Sequence, residues 1–221
     1  MDERGEHLES LPDRADAGRR LGLALAHVRP SRPIVLGLPR GGVPVAFPIA
    51  RALRAPLDVL VVRKIGAPGN PEYGLGAVVE RGGLYLDLPR LHEAGVTEAD
   101  LRPTIRDERE RAERQATHYR AARPRAAVEG RVVVVVDDGV ATGGSAIAAV
   151  RSLRAERAQR IVVALGVGPP DAIARLGEEA DEIVVLLAPR SFYAVGEWYD
   201  DFAPVSDRTV LRLLESSAER E

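Results

Sequence analysis

Hydrophobic positions fall along the chain in two alternating rhythms. Leu21, Ala24, Leu25 and Val28 recur at helical spacing and predict a first amphipathic helix ending before Pro30. Ile34 to Leu38 is a short apolar run stopped by Pro39-Arg40-Gly41-Gly42, after which Ala46, Ile49, Ala50 and Leu53 return to helical spacing. Leu57 to Val62, apolar at five of six positions, predicts a strand covered on both faces, so the first two strands form a βαβ unit. The same order returns downstream: Val132 to Val136 is a run of five valines, Ile147, Val150 and Leu153 mark a helix, Ile161 to Leu165 a strand, Ile173 and Leu176 a helix, and Ile183 to Leu187 a last strand. The alternation predicts one α/β domain built on a doubly wound, mostly parallel sheet, with no internal repeat and no separate second domain.

Between these halves the pattern weakens. Ile65 to Gly76 carries four glycines and two prolines and reads as a long loop, of the kind that is usually functional in an α/β domain. A hairpin around Arg81-Gly82-Gly83 and a loop to Pro103 follow. Ile105 to Arg120 alternates in charge, with Asp107/Arg111 and Glu110/Arg114 spaced i, i+4, and predicts a solvated helix without chemistry.

Composition narrows the chemistry. The 221 residues suffice for a single core. Without cysteine there are no disulfides, thiolate metal sites or cysteine nucleophiles, which fits a reducing compartment. Net charge is −2, so no global basic field points to nucleic acid or an anionic membrane, and any anion site must be local. The longest uncharged stretch, Gly139 to Val150, has 12 residues, below the ~18 of a membrane span. The acidic, apolar-poor start MDERGEHLESLPDR does not read as a signal peptide, so a cytoplasmic location is expected. Arginine outnumbers lysine 30 to 1, the lysine being Lys64, and five of nine aromatics fall within Phe192 to Phe202.

The chemistry concentrates at the end of the valine strand. Asp137 and Asp138 emerge together, and such a pair repels unless a cation or hydroxyl donors share the charge. Val140, Ala141, Thr142, Gly143, Gly144 and Ser145 then open a helix, where free amides and the helix dipole suit a phosphate, with Ser145 a candidate N-cap. The loop is not a Walker A, lacking Gly-Lys-Ser/Thr at the required spacing, nor a nucleophile elbow, lacking the closing glycine. A phospho-receiver is excluded by chain order, because Lys64 precedes the acids.

VVVVDDGVATGGS, Val133 to Ser145, resembles the phosphoribosyl pyrophosphate (PRPP) motif of type I phosphoribosyltransferases. The resemblance implies that Asp137 and Asp138 hold the ribose hydroxyls, with Mg²⁺ as cofactor bound by them directly or through PRPP and water, and that Val140 to Ser145 hold the 5′-phosphate. GLPRGGVPVA is similar to the family's pyrophosphate loop, which implies pyrophosphate contacts from Arg40, Gly41 and Gly42 and a cis peptide between Pro39 and Arg40. Arg63-Lys64 stands where relatives carry a basic pair before a flexible catalytic loop, here Gly66 to Gly76, which implies further pyrophosphate contacts from Arg63 and Lys64. Glu72, in Pro71-Glu72-Tyr73-Gly74, resembles the glutamate of adenine-type enzymes, so Arg40, Lys64 and Glu72 are the implied catalytic residues. Ala141 stands where 6-oxopurine enzymes carry Asp, so guanine or hypoxanthine transfer by that route is not implied.

Phe192 to Phe202 is similar to the hood of hypoxanthine-type enzymes, with Phe192, Tyr193 and Trp198 as candidates to stack on the acceptor; a hydrophobic plug or a homodimer contact is the other use of such a cluster. On this view the core runs over about 30–187 and the hood over about 188–205, with the N-terminal segment as a further candidate part of it. The implied activity is transfer from Mg-PRPP to a nitrogen of a small, nucleobase-like acceptor, the alternative being a non-catalytic PRPP-binding regulator. Residues 63–72 and 137–143, RKIGAPGNPE and DDGVATG, tie the chain most closely to a little-characterised subgroup of that family.

Overall fold

The computed structural model describes residues 10–121 and 124–218, so most of the acidic start lies outside the described residues. Five parallel strands form the central sheet: β1 (Ile34–Gly37), β2 (Leu57–Val59), β6 (Val132–Gly139), β7 (Arg160–Val167) and β8 (Glu182–Leu187), in the order β2-β1-β6-β7-β8. All five residues of the valine run are buried, alternately on the two faces. Val134 and Val136 face a core shared with α1 (Arg14–Ala24), α2 (Gly42–Leu53) and α7 (Asp207–Ala218). Val133 and Val135 face a second core shared with α5 (Gly144–Ala155) and α6 (Pro170–Gly177). Burying one valine side chain stabilises the fold by roughly 1.5 kcal/mol or more, which holds a continuous run of them at the sheet centre. The doubly wound α/β reading is what the sheet shows. Strand order reverses between β1 and β6, so the carboxyl ends of those two strands flank the crevice where such sheets bind ligands.

A separate antiparallel sheet joins β3 (Val62–Ala67), β4 (Asn70–Val79) and β5 (Leu84–Leu86). It corrects three expectations. The apolar run from Leu57 is split, because the chain leaves the parallel sheet after Val59 and Val62 opens β3. The glycine-rich stretch read as a loop is a hairpin: Gly66 lies so close to the Pro71 backbone that a Cβ would overlap it, the register shifts beside Gly66, and Gly69 takes φ +78° at the turn. The expected loop to Pro103 contains α3 (Leu88–Glu93) and the first turns of α4 (Glu98–Tyr119), which starts at a capping box between Thr97 and Asp100. The hairpin around Arg81-Gly82-Gly83 is present as the β4–β5 connection.

Two helical details also differ. After α1 a 3₁₀ segment, Ala26–Ser31, carries the chain through Pro30. On α4 the Glu110/Arg114 pair forms at 3.5 Å, but Arg111 bonds Glu108 at 2.7 Å rather than Asp107. Nor is that helix only a solvated face, because Leu101, Ile105, Ala112 and Ala116 are buried beneath it.

The antiparallel sheet is fastened to the parallel one by buried charge. Arg120, at the end of α4, bonds both Glu80 oxygens, the Val59 carbonyl and Asp58 (3.2 Å). Glu80 also accepts from Val61 N–H at 3.0 Å, and Asp58 from Ala126 N–H at 2.9 Å, so both buried carboxylates are satisfied. No helix among the described residues is long and apolar enough to cross a membrane.

Candidate active site

Two loops meet at the reversal point. Leu38 N–H donates to Val136 O at 2.9 Å and carries the chain off β1, and the Pro39–Arg40 peptide is cis, as the resemblance implied. A Cβ on Gly41 would overlap the Asp138 carboxylate, and one on Gly42 the Val136 carbonyl. Only glycine lets this loop lie flat against the acids.

Asp137 and Asp138 close β6. Asp138 N–H donates to Asp137 Oδ1 at 2.9 Å, and the Tyr199 hydroxyl donates to Asp138 O at 2.6 Å, across Gly166, where any side chain would block the approach. Asp138 has its own cation in Arg14, at the start of α1. Its Nε donates to Asp138 Oδ2 at 2.7 Å, one of its NH groups donates to Ala203 O at 2.9 Å, and the guanidinium lies 3.7 Å over the Phe202 ring. Burial holds the Asp137 carboxyl well above the usual carboxylate range, the Asp138 charge adds to this, and Lys64 opposes it.

Val140 lines the cleft but is buried, with its N–H donating to Val167 O and its side chain against Gly168, so it also anchors the loop. Ala141 and Thr142 are exposed. The N-cap of α5 is Gly143, at φ +79°, and it makes no side-chain cap bond; Ser145 lies inside the first turn, which corrects the expected cap. The first amides of this 12-residue helix therefore remain available to an anion.

The antiparallel sheet faces this loop across a cleft of about 350 Å³. Glu72, Gly74 and Gly76, alternate residues of β4, line it together with Lys64, Tyr85, Asp87 and Arg90, and Val195 and Phe202 close one side. A Cβ on Gly144 would lie 3.6 Å from the Tyr85 ring, so Tyr85 stands over the phosphate-type loop. Arg175 of α6 donates to Asp87 at 2.6 Å and to the Tyr85 hydroxyl at 2.9 Å, linking the two sides.

Several expected ligands fall elsewhere. Arg40 and Arg63 line a neighbouring pocket with Arg111, Arg114, His118 and Asp207; Arg63 is ion-paired with Glu108, and the charge of Arg40 acts on Tyr119. Trp198 is buried in the first core, Phe192 packs on its margin and Tyr193 is 86% exposed, so none of the three lines the cleft. The ring that does is Phe202, from the same cluster. Leu11 pairs with the cluster's backbone, its N–H donating to Trp198 O at 2.8 Å and its carbonyl accepting from Asp200 N–H at 2.9 Å. Sequence reading missed Arg14, Tyr85, Asp87 and Arg90, none of which carries a motif.

Comparison with known proteins points to one family. A family model described as phosphoribosyl transferase domain matches residues 8–187. "Putative phosphoribosyl transferase Rv0571c" of Mycobacterium tuberculosis is 44% identical over 208 residues, covering 94% of this chain and 47% of its own. The chain thus spans about half the length of the curated relatives it matches. The crystal structure of TT1426 from Thermus thermophilus is 46% identical, with a TM-score of 0.79 over 94% of this chain and 98% of that one.

Proposed function

This chain belongs to the phosphoribosyl transferase domain family, and on that premise we propose that it transfers the phosphoribosyl group of PRPP to a nitrogen of a small, nucleobase-like acceptor. The observation that carries the reading is that the Asp137–Asp138 pair and the amide-bearing loop Ala141–Ser145 line one cleft with Lys64 and Glu72. Asp137 and Asp138 hold the ribose hydroxyls and the loop holds the 5′-phosphate, which fixes the anomeric carbon between them. The bond from that carbon to pyrophosphate breaks with its electron pair on the leaving group. The acceptor nitrogen forms the new bond, and Glu72 takes the proton it releases. Positive charge builds on the ribose ring meanwhile, beside the Asp138 carboxylate, and Lys64 stabilises the departing anion. One face of Phe202 carries the Arg14 guanidinium, and the rest of the ring that lines the cleft is what a flat acceptor would meet.

Mg²⁺ is the cofactor this reading implies. No cluster of three or more His, Asp or Glu able to hold a metal occurs among the described residues. Asp137 and Asp138 would hold Mg²⁺ directly or through PRPP and water, with pyrophosphate and water supplying most of its ligands. When bound it would neutralise leaving-group charge.

A second reading, PRPP binding without transfer, is favoured by one observation: Arg40 and Arg63 lie outside the cleft, which leaves fewer cations around pyrophosphate. Pyrophosphate release from Mg-PRPP, measured against purines, pyrimidines, pyridines and small amines, separates the two. Release with any acceptor supports transfer. Calorimetric PRPP binding with silence across the panel supports the regulator, and no PRPP binding overturns both.

A further inference from the structure

We propose that Arg90 is a side-chain ligand of the phosphate held by the Ala141–Ser145 loop, an assignment that rests on reading the cleft as a PRPP site. The loop supplies amides and the hydroxyls of Thr142 and Ser145 but no cation, although its ligand would be a dianion. Among the cleft's lining residues, positive charge comes from Lys64 and Arg90. Lys64 acts electrostatically on Asp137, which puts it at the acid end.

Arg90 lines the cleft from the wall that carries Tyr85 and Asp87. It lies on α3, whose N-cap Asp87 accepts from Arg90 N–H at 3.3 Å and is itself bonded to Arg175. Asp87 also meets the hydroxyl of Tyr85, the ring standing over Gly144. The Arg90 guanidinium rests 4.6 Å from the Tyr73 ring centroid, its Nε is buried without an acceptor, and it makes no ion pair among the described residues. Of the two carboxylates three residues away along this helix, Asp87 is engaged by Arg175, and Glu93 accepts from the Tyr73 hydroxyl at 3.2 Å. A guanidinium steadied on an aromatic face and held by no carboxylate can turn its terminal NH groups to an oxyanion in the cleft it lines. The loop and the helix dipole grip the phosphate from one side, and Arg90 completes its shell from the other.

Calorimetry of the full chain with ribose 5-phosphate and, separately, inorganic pyrophosphate tests this on the wild type, Arg90→Gln and Arg90→Lys. Losing a charge-assisted bond should weaken ribose 5-phosphate roughly ten- to a hundredfold in Arg90→Gln, and less in Arg90→Lys, with pyrophosphate affinity unchanged. Unchanged ribose 5-phosphate binding, or a loss confined to pyrophosphate, overturns the assignment. Should Arg90→Gln fail to fold, a selective loss in Arg90→Lys upholds it and an equal loss for both probes overturns it. Arg90-dependent ribose 5-phosphate binding without PRPP binding would leave Arg90 in place and remove the transferase reading. PRPP turnover with Arg90-independent binding would do the reverse.

Discussion

Arg14 Nε and Asp138 Oδ2 meet at 2.7 Å across 124 residues of chain, with each side chain only about a tenth exposed. Breaking one side of such a pair leaves a buried charge unmatched, which costs about 3–5 kcal/mol in comparable sites. Arg14→Met should therefore lower stability by a few kcal/mol in urea unfolding, and Arg14→Met/Asp138→Asn should recover part of the loss. Additive losses would show that the pair is not coupled.

Asp137 is the opposite case, a carboxylate whose charge the fold resists. Asp137→Asn keeps an acceptor for Asp138 N–H and removes the charge, so the free protein should melt higher at pH 7, by about 2–4 °C for each kcal/mol relieved. The same variant should lose Mg-PRPP binding by calorimetry. A lower melting temperature, or intact binding, would contradict one half of this expectation.

Glu72 is exposed on β4, so its replacement should disturb the fold little. Glu72→Gln is expected to slow turnover more than it weakens PRPP binding. An unaltered rate would return Glu72 to the solvent.

Phe202 and Tyr193 come from one aromatic cluster but differ in position. Stacking worth ~1 kcal/mol corresponds to roughly a fivefold rise in acceptor KM for Phe202→Leu, with PRPP affinity kept. Tyr193→Ala, outside the cleft, should leave both unchanged. Equal effects from the two would remove the stacking role.

Burial, aided by the hydrogen bond to Asp207, pushes the Tyr119 hydroxyl up to about 12 from 10.0. The folded chain then keeps this proton where the unfolded chain has released it, so stability falls as pH rises from 10 to 12. Tyr199 and Tyr85 shift in the same direction. Melting temperatures taken from pH 9 upward should drop across that window, and less steeply in Tyr119→Phe; equal slopes would show that Tyr119 titrates alike in both states.

The parallel half of the fold was legible because a strand buried on both faces must be apolar throughout, and Val132–Val136 and Ile161–Leu165 satisfy that without knowledge of their neighbours. The motif at Asp137–Ser145 was legible because its strand-to-helix connection is local. The antiparallel sheet was not. Gly66 against Pro71 and Gly76 against the Tyr85 backbone are close approaches between strands, and in sequence they look like a flexible, glycine-rich loop. Charge partners were the least visible. Nothing near Arg14 announces Asp138, and nothing near Arg63 announces that Glu108 holds it.

The two walls of the cleft belong to different bodies. Asp137 to Ser145 ride on the parallel sheet, whereas Lys64, Glu72, Tyr85 and Arg90 ride on the antiparallel sheet and α3. Arg120 clamps these bodies at one place and Arg175 at another. Neither clamp lines the gap it spans. Ala77, Val79 and Tyr85 also share the second core with Val133, Val135 and α5, so the aperture offered to an acceptor depends on how the two sheets are seated on each other, and loosening either clamp would change its gauge without touching a residue of the wall.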